Sequence, residues 1–156
     1  PVAPTSSAGE RSVYTHTEAG IQFTAPAAWQ AEKDEQGLSL TTPDKALVIV
    51  FFIPKDGEMG AAVKGIQEEV SKFLKRVRAA GEPDEYILNG MTTVAEEGTA
   101  ESNGNSVAWS ASIIQAKKPI IALAFGAKGE FEKHEDEIEK FIQTIKKTSE
   151  TIVAKP

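Results

Sequence analysis

The chain has 156 residues, 40% of them hydrophobic and 26% charged, which suits one domain large enough to bury a core without crosslinks. A formal net charge of -6 argues against nucleic-acid binding, which needs a basic surface to neutralise phosphates. The absence of cysteine removes disulfides, thiolate nucleophiles and Cys-ligated metals, and no apolar run approaches the roughly 18 residues of a membrane-spanning helix.

Residues 1–12, PVAPTSSAGERS, hold too little apolar surface to offset their ordering entropy, so a flexible leader is expected. A start without Met fits trimming, either by design or at a signal. The second reading implies an exported protein, periplasmic or extracellular, and a lipid tether upstream of Pro1 fits the same processing. A short strand over 13–17 follows. The next covers 21–24 and stops at Pro26, which offers no backbone donor. Trp29 follows the break, 32–37 is a polar turn, and 37–41 resumes as a strand. A Thr42-Pro43-Asp44-Lys45 turn then leads into residues 46–53, a nearly unbroken apolar strand closed by Pro54. With no polar alternation, that strand must be covered on both faces.

Helix A is expected over 56–81, with Asp56 as N-cap and Glu58 in the first turn. Val63, Ile66, Val70, Phe73, Leu74 and Val77 form its apolar stripe, and Gly81 with Pro83 ends it. Gly65 inside it fits a close approach of helix to sheet. An antiparallel meander comes next, with strands at 85–88, 91–101, 106–116 and 120–125. Asn89-Gly90, Asn103-Gly104 and Lys117-Lys118-Pro119 supply its turns. Val107, Trp109, Ala111 and Ile113 share one face, while 120–125 is apolar at almost every position. Helix B spans 130–148, with Phe131, His134, Ile138, Phe141, Ile142 and Ile145 turned inward, and 151–156 is a short tail.

Chemistry is sparse. No GxSxG elbow, P-loop, HExxH or dinucleotide fingerprint is present. His16 has no acidic or Ser partner nearby. His134 lies between Phe131 and Ile138 and reads as a packed, hydrogen-bonded residue. Glu130, one turn earlier, would add a carboxylate beside the imidazole, but a metal site needs a third ligand. Accordingly no catalytic, cofactor-binding or metal residue is assigned, and no cofactor is expected. The acidic start of helix B and the basic last turns of helix A (Lys72, Lys75, Arg76, Arg78) fit the helix dipole without any partner. Trp29 and Trp109 are candidates for the wall of a pocket, although Trp29, just after Pro26, reads better as a plug at the edge of a core.

Phe23-x-x-Pro26-x-x-Trp29, Gly37-Leu38-x-Leu40, the Thr42-Pro43-Asp44 turn, the Leu88-Asn89-Gly90 hairpin and Phe141-Ile142-x-x-Ile145 together resemble the PsbP-like family. Its members include the extrinsic photosystem II protein, the Ran-binding Mog protein and exported bacterial DcrB-like proteins. The resemblance covers 13–148 in layout, and the processed-looking leader sets the chain beside the bacterial exported group. It implies an α+β fold, a three-layer α/β/α sandwich with a mainly antiparallel central sheet in the order β-β-β-β-α-β-β-β-β-α. A single domain over 13–150 is expected. The family's members mostly bind proteins, so the implied function is a non-catalytic exported domain that binds another protein at the cell envelope. The alternative is a small-molecule or lipid carrier with Trp29 or Trp109 on its wall.

Overall fold

The computed structural model describes residues 12–16, 19–25, 29–33, 37–54 and 58–147. The leader up to residue 11, Pro26, the middle of the 32–37 turn, Asp56 and the 151–156 tail lie outside the described residues. The apolar run becomes β5 (Leu47–Phe52), paired antiparallel with the second such run, β10 (Pro119–Ala127), so that Leu123 faces Val50 and Ala124 faces Ile49. Outward from β5 lie β4 (Gly37–Thr41) and β3 (Gln30–Lys33). Outward from β10 lie β9 (Asn105–Gln115), β8 (Met91–Ser102) and β6 (Lys75–Ala79), while β7 (Asp84–Leu88) also pairs with β8. The eight strands pair antiparallel throughout.

Alternate side chains of the two central strands feed two cores. Ile49, Phe51, Ile120, Ala122 and Ala124 enter one; Val50, Phe52, Ile121 and Leu123 enter the other. The first is covered by a small sheet of β1 (Ser12–His16), β2 (Ile21–Ala25) and β11 (Lys146–Lys147), together with the helices α3 (Lys128–Lys133) and α4 (Glu135–Ile142). The second is covered by α1 (Met59–Lys64) and α2 (Ile66–Val70), with Val107, Trp109, Ala111 and Ile113 on the sheet side, as their alternation predicts. Both apolar strands are therefore covered on both faces. The fold is α+β, with a mainly antiparallel central sheet between two covering layers.

An aromatic knot joins the layers of the first core. Phe23 of β2 stacks on Phe51 of β5 at 4.3 Å between ring centroids, and Phe141 of α4 meets both rings edge-on. Trp29 closes on Phe141 at 5.6 Å and is itself buried. Phe23 and Trp29 thus meet Phe141, more than 110 positions away, as one packing unit, each aromatic pair adding about 0.5–1.5 kcal/mol beyond its buried area.

The structure corrects several expectations. Helix A does not reach residue 81: it starts at Met59, breaks at Gly65 and ends at Val70. Bonds from Lys72 N to Glu69 O and from Phe73 N to Val70 O tighten its last turn. Lys75–Ala79 is instead the edge strand β6 on β8, so Lys75, Arg76 and Arg78 are not at a helix end. The apolar stripe is nevertheless real, because Val63, Ile66, Val70, Phe73, Leu74 and Val77 all join the second core. A spacing of three and four survives when a short helix gives way to a bulged strand, so the periodicity could not locate the break. Gly98 on β8 is what admits β6: a Cβ there would lie 1.8 Å from Arg78 O. Gly65 has no such role, since its nearest neighbour would be Ala61 O of its own helix at 3.4 Å.

Residues 30–33 form β3, a strand absent from the expected order, because β4 offers them a full antiparallel partner. Helix B is interrupted at His134 and ends at Ile142, not 148. Asn89, at the tip of the β7–β8 hairpin, donates from Nδ2 to the carbonyls of Gln143 (2.9 Å) and Ile145 (2.6 Å). Lys146 and Lys147 then pair with β2. The chain has left the helix because these tertiary partners take its carbonyls. The hairpin itself has the expected form, with Asn89 and Gly90 both at positive φ (48° and 84°), as a tight two-residue turn requires.

Candidate functional site

Among the described residues, a His-carboxylate cluster forms where the β4–β5 turn meets the α3–α4 junction. The turn is built by its own side chains. Thr42, buried, donates from Oγ1 to Asp44 Oδ1 (2.8 Å) and accepts from Leu47 N (3.2 Å); Ala46 N donates to the same Oδ1 (3.0 Å). Asp44 Oδ1 is thus occupied within the turn, which leaves Oδ2 pointing away from it. The Thr42 hydroxyl first, and then the Ala46 amide, pull the Asp44 carboxyl down from 3.8 to about 2.

His134 is the single turn residue between α3 and α4. Its amide still donates to Glu130 O (3.1 Å) and its carbonyl accepts from Ile138 N (2.9 Å), so the helical path runs on and keeps Glu130 and His134 on one face. Its ring is only 12% accessible. Nδ1 lies 2.6 Å from Glu137 Oε1, and Nε2 lies 3.2 Å from Asp44 Oδ2. The hydrogen bond to Glu137, followed by the nearby Asp44 carboxylate, raises the imidazole above its ordinary 6.5 against the opposing effect of burial. Glu130, half-buried, completes the group: one ligand atom from each of Asp44, Glu130 and His134 lies within 4.8 Å of the others.

The sequence reading paired His134 with Glu130 and found no third ligand. Asp44 is that third group. The Thr42-Pro43-Asp44-Lys45 sequence shows only its turn role, and it lies 90 positions from His134, so no local spacing joins them. His16 lies elsewhere, at the end of β1 opposite Ile21.

Both tryptophans are core residues. Trp29 belongs to the first core, while Trp109, 1% exposed, lies in the second and donates from Nε1 to Thr99 O (3.0 Å). A cleft of about 330 Å³ does reach Trp109 between β8–β9 and α3, where Glu97, Glu132 and Glu135 share its lining with Lys128 and Phe131. A further ionisable group is buried away from the cluster. Glu96 of β8 is 8% exposed, its Oε1 has no hydrogen-bond partner, and burial pushes its carboxyl pKa up from 4.5.

No protein-family model matches the chain, and no curated protein matches it. Solved structures do. The cyanobacterial PsbP protein CyanoP of Synechocystis sp. PCC 6803 superposes with a TM-score of 0.69 at 11% identity, over 94% of this chain and 98% of that one. The fold is PsbP-like. LpqN of Mycobacterium tuberculosis, described as involved in cell envelope biogenesis, shares it with a TM-score of 0.61 at 14% identity, over 87% of this chain and 89% of its own. Protein PA94 of Pseudomonas aeruginosa matches with a TM-score of 0.53 at 16% identity, over 87% of this chain and 96% of its own. At these identities the PsbP-like likeness is one of architecture. The aromatic knot and the Asn89-Gly90 hairpin hold Phe23, Trp29, Phe141, Asn89 and Gly90 in structural roles in this chain. Among the described residues, no helix is long and apolar enough to cross a membrane.

Proposed function

We propose that this chain is a non-catalytic, exported domain that binds another protein at the cell envelope. The observation that carries the reading is the outer edge of β7. Among the described residues this strand pairs only with β8, and it holds Ile87 66% exposed beside the exposed Asp84 and Glu85. Folded proteins usually blunt such edges, because their unpaired backbone groups are a template for another strand. An extended partner segment could add to the sheet here, with an apolar side chain against Ile87 and basic residues opposite Asp84 and Glu85. The envelope setting is supported by the architecture shared with LpqN, whose description places that protein in envelope biogenesis. A carrier would present its aromatic groups to a ligand, whereas Trp29 and Trp109 pack in the cores.

The test places a photoreactive residue at position 87 and irradiates the protein in envelope extract. One crosslinked protein is expected, with added protection of the β7 amides from hydrogen exchange in the purified complex. Ile87→Asp, with its circular dichroism unchanged, should abolish both. Failure to crosslink, or protection confined to another edge, overturns the assignment of the surface; turnover of a substrate overturns the non-catalytic reading.

A further inference from the structure

We propose that Asp44, Glu130 and His134 form a binding site for a divalent cation of the zinc class, with Glu137 as the carboxylate that orients the imidazole. The three ligand atoms come from two elements and lie within 4.8 Å of one another. Tetrahedral ligands about 2.1 Å from a metal stand about 3.4 Å apart, so side-chain adjustment alone closes the set.

The hydrogen bonds around the cluster orient its side chains as ligation requires. The short contact at Nδ1 places a donated N–H on Glu137 Oε1. Nε2 faces Asp44 Oδ2 at 3.2 Å, so both atoms front the same space as Glu130. A histidine whose far nitrogen donates to a carboxylate is the usual arrangement behind a metal-ligating imidazole. Asp44 is prepared for the same role, since Thr42 and Ala46 hold Oδ1 and leave Oδ2 free to ligate. One imidazole nitrogen with two carboxylate oxygens suits zinc and its transition-metal neighbours better than calcium or magnesium, which take oxygen ligands.

The experiment titrates the untagged chain with ZnCl2 by calorimetry and with CoCl2 by visible absorption and NMR. One saturable site is expected, with zinc displacing cobalt and paramagnetic broadening centred on residues 44, 130 and 134. His134→Gln and Asp44→Asn should each weaken zinc about tenfold or more; Asn at position 44 keeps the acceptor oxygen that holds the turn. Glu137→Gln, acting through His134, should weaken it about tenfold while the broadening stays centred on the same residues. His16→Gln should bind as the parent does. No saturable binding, unchanged affinity in His134→Gln, or broadening centred elsewhere overturns the site. If a variant unfolds, the location of the broadening in the parent protein still decides.

Discussion

Glu96 shows how one residue can run against the fold that contains it. Its carboxyl is buried on β8 with Oε1 unpartnered, and burial raises its pKa above 4.5. An acid whose folded pKa is raised favours the folded state while it is protonated. That favourable contribution is complete below pH 4.5 and is lost as pH rises through the folded pKa. Glu96→Gln removes the charge and keeps the shape. Its melting temperature should exceed that of the parent by a few degrees at pH 7.5, and the difference should vanish near pH 4; equal melting curves at both pH values would contradict the burial. Nothing in the sequence marks Glu96, because β8 alternates buried and exposed positions only loosely and no pattern assigns the glutamate to the inner face. Asp44 was equally hidden. Its turn role was legible in Thr-Pro-Asp-Lys, but its second oxygen meets His134 only through the tertiary fold.

At the scale of elements, legibility followed the covering of surface. The 46–53 and 120–125 runs announced themselves because unbroken apolar strands have one solution, a sheet covered on both sides. Asn-Gly pairs located two hairpin turns because few residue pairs accept two positive φ values. Residues 71–79 differ from the helical expectation because their apolar positions satisfy helix and strand alike, and the deciding fact is external: β8 offers an edge at Gly98 where no side chain intrudes. The same reasoning makes β5 the most sensitive element. Ile49, 1% exposed, faces the aromatic side of the core between Leu40 and Ala124. Ile49→Asp places an unpaired carboxylate there at a cost of several kcal/mol against a total stability of about 5–15 kcal/mol. The variant is expected to lose its cooperative thermal transition by circular dichroism, and a parent-like melt would show that β5 is not the centre of the sheet.

Across the whole molecule, the architecture makes the two cores one cooperative unit. β5 and β10 supply alternate side chains to both, so loss of the central sheet disrupts both cores at once. The two tryptophans report the sides separately, Trp29 beside Phe141 in one core and Trp109 beneath α1 and α2 in the other. In Trp29→Phe and Trp109→Phe, urea unfolding followed by the remaining indole should track far-ultraviolet circular dichroism of the same variant, with a single midpoint each. The two variants should also share a denaturant slope, because that slope measures the surface exposed by the whole transition. If Trp109 instead lost its native signal at lower urea than the sheet, the α1–α2 layer would be a separate, weaker unit. The corrected helix gives that outcome a physical route: α1 and α2 have six and five residues, too short to be stable without the sheet beneath them. Coincident transitions would show that Ile66, Val70 and Leu74 bind this layer to the sheet as firmly as Phe141 binds the other.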